Sequence, residues 1–413
     1  MQLKRIVITG TGVLTSIGNN TQDFWNALLA GRSGIGPITQ FNTEGHRVNF
    51  AGEVKGFVPT DFLDPKEAQK IDRFVQLAIA ASDEAVAQAG LKNSGIPASR
   101  IGVNVGSGIG GLKTIEAEHE AYLKGGARRI GPLMIPKMIV DMAAGHISIR
   151  HGFKGPNFAV VSACATAAHS IGEAFWILQR GDADVMICGG TEAAITPLGI
   201  GGFAAMRALS TRVEDPTSAS RPFDKDRDGF VMGEGAGILV LETYESAKAR
   251  GVEIIAEFIG YGATADANHI TAPAEDGSGA AAAIRMALGH AKIAPESVGY
   301  INAHGTSTPF NDKFETVAIK SVFGDHARKM AISSTKSMTG HTLGAAGGLE
   351  TIVCALACKH DIVPPTINYT TPDPDCDLDY VPNVARKVTV DVALNINLGF
   401  GGHNAVGLVR KFK

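Results

Sequence analysis

The sequence has no long apolar run, no paired-cysteine motif and almost no net charge, and each absence closes a class of function. No stretch approaches the roughly 18–20 apolar residues that cross a bilayer. The N-terminus, MQLKRIVITG, has a basic start but only three apolar residues before a turn. It matches neither a secretory signal nor a transit peptide, and the chain is expected to be mature from its first residue. The cysteines are five (Cys164, Cys188, Cys354, Cys358, Cys376), an odd number with no CxxC among them. Zinc would want clustered Cys/His pairs, so no metal is expected. A reduced, cytosolic compartment fits better than secretion, with an organelle stroma or matrix also compatible. Lys and Arg number 38 against 41 Asp and Glu, a net charge of −3. That excludes broad nucleic-acid binding, so an anionic partner must be met by a local basic patch.

What is present is a globular chain of 413 residues, 45% hydrophobic and 19% charged, long enough for two domains. Glycine is abundant, 50 residues, and falls in or after apolar runs such as VITGTG, VNVGSGIGG, MICGGTE and NLGFGGHN, which predicts many tight strand-to-loop turns. Short β-rich runs alternate with helical ones: RIVITG (5–10), a helix over 70–91, RIGVNVGSG (100–108), FAVVSA (158–163), a small-residue helix to about 179, and DVMICGG (184–190). The alternation predicts an α/β fold with buried sheets. The second half repeats the order, with a helix (277–293), strands at 298–303 and 329–335, a polar corner and a small-residue helix (343–359). Two similar α/β halves follow, residues 1–255 and 256–413, each offering its corner to a shared cleft. Residues 110–155 have no counterpart; within them Met134, Met138 and Met142 stand at i, i+4, i+8, a stripe suited to a core, a dimer face or a long apolar ligand.

Two familiar motifs fail for want of one residue. VITGTGVLTSIG would bind a dinucleotide if position 15 were glycine, but Thr15 is there. FDKDRDGFVMGEG has the Asp224, Asp226, Asp228 and Gly229 of a calcium loop, but Gly235 stands where its bidentate glutamate belongs, so a hydrogen-bonded turn is expected.

Cys164, in VVSACATAAHSIG, sits where an apolar run meets a small-residue helix. Alone it is a buried filler or a nucleophile. A helix N-terminus favours the thiolate, small neighbours leave room for a carbonyl, and the Cys164 N–H can face an oxyanion. His304, in INAHGTSTPFND, ends a strand, and Lys336 and His341, in STKSMTGHTLGAAGG, occupy the corner of the second half. Each alone reads as structural or exposed; together, facing a cysteine corner, they suit acyl transfer. The glycines around Phe400 in NLGFGGHN form a β-bulge or free a backbone N–H for a ligand.

These motifs, with GTSTPFNDKFET and SSTKSMTGHTLGAAGGLE, resemble those of the β-ketoacyl-[acyl-carrier-protein] synthases of the thiolase superfamily, over essentially the whole chain. The resemblance implies a layered αβαβα core and a decarboxylative Claisen condensation without a cofactor. Cys164 would take the acyl group from acyl carrier protein, and His304 and His341 would stabilise the malonyl-derived enolate. Lys336, with Glu350, would orient that cluster, and the N–H groups of Cys164 and Phe400 would hold the oxyanion, Phe400 also matching the family's gating phenylalanine. It further implies Ile109, Phe203 and Met134 along an acyl pocket, a homodimer, and Lys66, Lys70, Arg128, Arg129 and Arg207 against the acidic carrier protein. GTSTPFNDKFET favours the type II, long-chain form over type I-like or polyketide-type enzymes of the same chemistry. A thiolase would need a second cysteine near GFGGHN, a chalcone-synthase-like enzyme an asparagine in place of His341, and a non-catalytic chain-length subunit would lack Cys164. The stretch INLGFGG departs from the family's NSFGFGG at Ile396, Asn397 and Leu398.

Overall fold

The computed structural model describes residues 3–413. The first half opens on β1 (Ile6–Leu14), nine residues all buried. Helix α1 (Arg73–Gln88) is capped by the Asp72 carboxylate on the Phe74 N–H and buries Phe74, Leu77, Ala78, Ala81 and Ala85, one helical face. β2 (Ile101–Gly106) precedes the insertion, which folds into α2 (Leu112–Gly125), α3 (Met134–Met138) and α4 (Met142–His151). β3 (Asn157–Phe158), α5 (Thr166–Arg180), β4 (Val185–Glu192) and β5 (Gly235–Thr243) complete the half. The second half runs β6 (Ala256–Ala265), α6 (Ser278–Ala291), β7 (Tyr300–Asn302), α7 (Pro309–Phe323), β8 (Ala331–Ser333), α8 (Lys336–Thr339), α9 (Ala346–His360), β9 (Val392–Gly399) and β10 (His403–Arg410).

The strands form one ladder in the order β8-β7-β9-β10-β6-β1-β5-β4-β2-β3. Its two five-strand halves mirror each other. β1–β5 and β5–β4 are antiparallel and β4–β2–β3 parallel; β6–β10 and β10–β9 are antiparallel and β9–β7–β8 parallel. Among the described residues the ladder itself crosses between the halves through two residue pairs, Val7 with Glu257 and Ile8 with Ala256. Helices α5 and α9 pack on each other and on strands of both halves, whereas α1 lies on β1 and β5 and α6 on β6 and β10. The result is five layers, αβαβα, with the small-residue helices in the middle.

Glycine serves this layering more than it serves turns. Gly10 and Gly12 lie inside β1, where a Cβ would come within 2.2 and 1.8 Å of the carbonyl oxygens of Ala85 and Ala81 on α1. Gly260 and Gly262 repeat the contact on β6, at 2.5 and 2.0 Å from the Ala287 and Ala283 oxygens of α6. VITGTG is thus a strand pressed against a helix, which also accounts for the failed dinucleotide motif. Two further expectations are corrected. FAVVSA is not a strand over its length; only Asn157–Phe158 pairs, with β2. The methionine stripe is broken, because Ile139 turns extended and the Met138 carbonyl accepts from the Gly111 N–H at 3.2 Å. Met134 and Met138 therefore lie on α3 and Met142 starts α4.

Candidate active site

Cys164 occupies a sharp elbow between β3 and α5. Ala163 before it is held at φ 51°, a left-handed conformation that costs an alanine roughly 1–2 kcal/mol. The Ser162 N–H donates to Thr166 Oγ1 at 2.9 Å, and His169 Nδ1 lies 2.8 Å from Ser162 Oγ and 3.2 Å from the Ala165 carbonyl oxygen, so the first turn of α5 braces the bend. The second half builds the same elbow before α9, with Leu343 at φ 47° in place of Ala163 and Gly344 in place of Cys164. The two elbows are in contact. The buried Glu192, at the end of β4, accepts from Ser107 Oγ, the N–H of Gly108 and Ile109, and the Gly344 N–H at 2.6, 2.9, 3.2 and 3.0 Å. One elbow is thereby tied to a carboxylate, and the other presents a thiol.

The second half supplies the facing groups. His304 lies two residues beyond β7, and its N–H and that of Gly305 donate to the Glu315 carboxylate of α7 at 2.6 and 2.8 Å. The backbone of His341 is clamped between the Val231 carbonyl and the Gly233 N–H, at 2.7 and 2.9 Å. The two imidazoles meet edge to face, centroids 5.3 Å apart. Beneath them Lys336, at the start of α8, forms a close ion pair with Glu350 of α9, both 2% exposed. Glu350 also accepts from Asn397 Nδ2 at 2.6 Å. Phe400 begins the three-residue loop Phe400–Gly402 between β9 and β10, where Gly401 and Gly402 take φ 95° and 75°, a hairpin turn and not a bulge. The backbone N–H groups of Phe400 and of Cys164 face the thiol and favour its charged form.

A cavity of about 420 Å³ joins these parts and is lined by Cys164, His304, His341, Phe203, Leu398 and Phe400, among others. Nδ1 of both histidines is buried without a partner, which leaves Nε2 as the accessible nitrogen. Burial, then the Lys336 charge, depresses both imidazoles well below their usual range, so both rings are neutral at pH 7. A neutral ring with its proton on Nε2 donates to an oxygen in the cavity. Burial likewise pushes the Cys164 thiol up to about 12, against the opposing pull of Lys336 and the two N–H groups. The expectation that the helix N-terminus raises the resting thiolate fraction is therefore corrected, because desolvation outweighs it. Burial also raises Glu315, to about 7, and Glu350, the latter countered by Lys336 and Asn397.

Of the other expected residues, Phe203 stacks obliquely near Phe400, centroids 6.4 Å apart, and Arg207 stands at the cavity wall. Ile109 packs on the apolar cluster that contains Cys164 but does not line the cavity. Met134 is half-buried on α3, away from the lining. Lys66, Lys70, Arg128 and Arg129 are exposed and also outside it. The apparent calcium loop is a hydrogen-bonded turn. Asp224 accepts from the N–H groups of Asp226, Thr370 and Thr371, Asp228 accepts from the Ser210 hydroxyl and the Thr211 N–H, and Glu234 pairs with Arg73. Glu192 and Glu315 escaped the sequence reading, and Asn397 entered it only as a departure from the family's motif. Each is polar within an apolar or helical run, a weak signal that becomes legible only once burial is known.

A cysteine elbow facing two neutral histidines and a buried lysine, on paired α/β halves, defines a condensing enzyme of thiolase-like architecture. The β-ketoacyl synthase N-terminal domain profile matches residues 3–247 and the C-terminal domain profile residues 255–370. The chain belongs to the β-ketoacyl synthase family. It is 55% identical, over 100% of its length and 99% of theirs, to the 3-oxoacyl-[acyl-carrier-protein] synthases 2 of Synechocystis sp. and of Staphylococcus aureus strain N315. Its fold matches a β-ketoacyl synthase from Burkholderia phymatum (TM-score 0.92, 36% identity, 99% of this chain and 100% of that one). It equally matches a type II polyketide ketosynthase solved with its acyl-carrier protein and a hexaketide (TM-score 0.91, 36% identity, 100% of both chains). Among the described residues no helix is long and apolar enough to cross a membrane.

Proposed function

We propose that this chain is a 3-oxoacyl-[acyl-carrier-protein] synthase of the second type, which elongates an acyl chain by decarboxylative Claisen condensation in fatty acid synthesis. The observation that carries the residue roles is the meeting, at one cavity, of Cys164, the Phe400 N–H and two neutral imidazoles. Cys164 attacks the thioester of an acyl carrier protein. The N–H groups of Cys164 and Phe400 hold the tetrahedral oxyanion, and one such donor is typically worth about 2.7–4 kcal/mol. The carrier thiol leaves with the proton that Cys164 gives up.

Malonyl carrier protein then occupies the cavity. Its carboxylate departs as CO2, and the electron pair passes to C2 as an enolate whose oxygen accepts from His304 and His341. Neutral imidazoles suit this role, since they donate without surrendering a full proton. C2 attacks the acyl-cysteine carbonyl, the C–S bond to Cys164 breaks, the 3-oxoacyl chain remains on the carrier, and Cys164 regains a proton from water. Lys336, held by Glu350, supplies positive charge beneath both rings. Phe203, Ile109 and Met134 are assigned to the acyl path, and Lys66, Lys70, Arg128, Arg129 and Arg207 to the acidic carrier protein, in a homodimer of the cytoplasm, stroma or matrix. The substrate assignment draws on the full-length likeness to synthases of that name.

Product profiling with malonyl carrier protein and acyl primers of increasing length tests the reading. Elongation is expected to extend to long-chain primers. Failure beyond short ones overturns the type, and transfer from coenzyme A esters in preference to carrier protein overturns the substrate class.

A further inference from the structure

Asn397 lies on β9, three residues before Phe400. It is fully buried, and its side chain is used at both ends. Nδ2 donates to Glu350 Oε2 at 2.6 Å, while Oδ1 accepts from Asn395 Nδ2 at 3.0 Å. Asn395 in turn reaches Thr351 Oγ1 and the Gly347 carbonyl oxygen, at 3.1 and 3.2 Å, both on α9. Helix α9 makes room for this ladder. A Cβ at Gly347 would meet Asn397 Oδ1 at 2.9 Å and the Ala168 N at 2.6 Å. The other Glu350 oxygen is engaged by Lys336. A serine at 397 is one bond too short to span the gap that the amide fills.

We propose that Asn397 is a positioning residue that holds Glu350 ionised and oriented on Lys336, and so locks the strand bearing the Phe400 N–H to the charge beneath the two histidines. The inference rests on the condensing activity proposed above. The titratable groups that surround Glu350 and Lys336 are His304 and His341 from their loops, Glu315 from α7, Cys164 from the elbow, Tyr300 from β7 and Cys354 from α9 itself. Donation from Asn397 favours the charged carboxylate, as does Lys336, against burial. Its loss therefore lets Glu350 take a proton at higher pH.

The test compares wild type, N397S and N397D across pH. The measurements are condensation kinetics with acyl and malonyl carrier protein, together with the infrared carboxylic-acid band assigned to Glu350 by its absence in E350Q. For N397S, kcat is expected to fall about tenfold or more, as for a buried acceptor left unpaired, with KM for both carriers little changed. Its acid limb and its Glu350 band both move to higher pH. N397D can donate only while its own carboxyl is protonated, so its activity is expected to recover as pH falls and collapse as pH rises. Wild-type kcat with an unshifted band in N397S overturns the proposal, as does equal loss in both variants at every pH. A wild type that forms no 3-oxoacyl product overturns the function instead, while the band shift still decides the coupling between Asn397 and Glu350.

Discussion

At the scale of single residues, burial holds the thiol and both imidazoles of the cavity in their neutral forms. Cys164 is enclosed enough to hold its proton to about pH 12, and His304 and His341 are kept neutral by burial and by Lys336. In the proposed mechanism the thiolate then forms when substrate arrives and is not stored. Alkylation of Cys164 by iodoacetamide should accordingly rise about tenfold per pH unit from pH 7 to 9, because the thiolate fraction does so well below the pKa. A plateau starting near pH 7 would mean a stored thiolate. Cys164 and His304 stood out in the sequence because each ends an apolar run beside small residues, and Lys336 and His341 because they share a small polar corner before a small-residue helix. Glu192 and Glu315 did not. A carboxylate that accepts two or three backbone N–H groups differs in sequence in no way from one that faces water.

At the scale of elements, the two elbows explain the shape of the site. Each places a non-glycine residue at positive φ directly before a helix, Ala163 in one half and Leu343 in the other. Replacing Ala163 by glycine relieves roughly 1–2 kcal/mol of left-handed strain, which offsets the roughly 0.4–1 kcal/mol of added chain entropy. A163G is expected to keep wild-type Tm within a few degrees and to retain activity. A163V, β-branched at the same φ, should lose about 2 kcal/mol or more and acylate slowly. Calorimetry with acylation kinetics separates them, and a clearly destabilised A163G would show that the elbow holds no strain. The helices and longer strands were readable from periodicity, but the cap that starts α1 at Asp72 was not. The strand glycines were misread as turns because close approach of a helix leaves the same mark in sequence as a turn. The methionine stripe was misread because a backbone contact from Gly111 breaks a helix that spacing alone would continue.

At the scale of the whole molecule, the pseudo-twofold was visible in the repeated order of elements, whereas the two-pair seam between β1 and β6 was not. One edge of the ladder remains open. β3 pairs only with β2, and around it Phe158 is 39%, Val161 50% and Ile149 80% exposed, with Leu133, Ile135 and Ile139 of the insertion also exposed. An apolar edge strand of this kind invites a second copy. Sedimentation is expected to give a dimer for wild type and a monomer for the double variant F158K/I149K. An unchanged dimer would move the interface elsewhere. The most direct test of the chemistry remains the elbow itself. Incubated with acyl carrier protein, the wild-type chain should gain one acyl mass on the peptide containing Cys164 and, on addition of malonyl carrier protein, lose it as 3-oxoacyl product forms. C164A should gain no mass and form no elongated product. Full elongation by C164A, or acylation at any other residue, would contradict the assignment of Cys164 as the nucleophile.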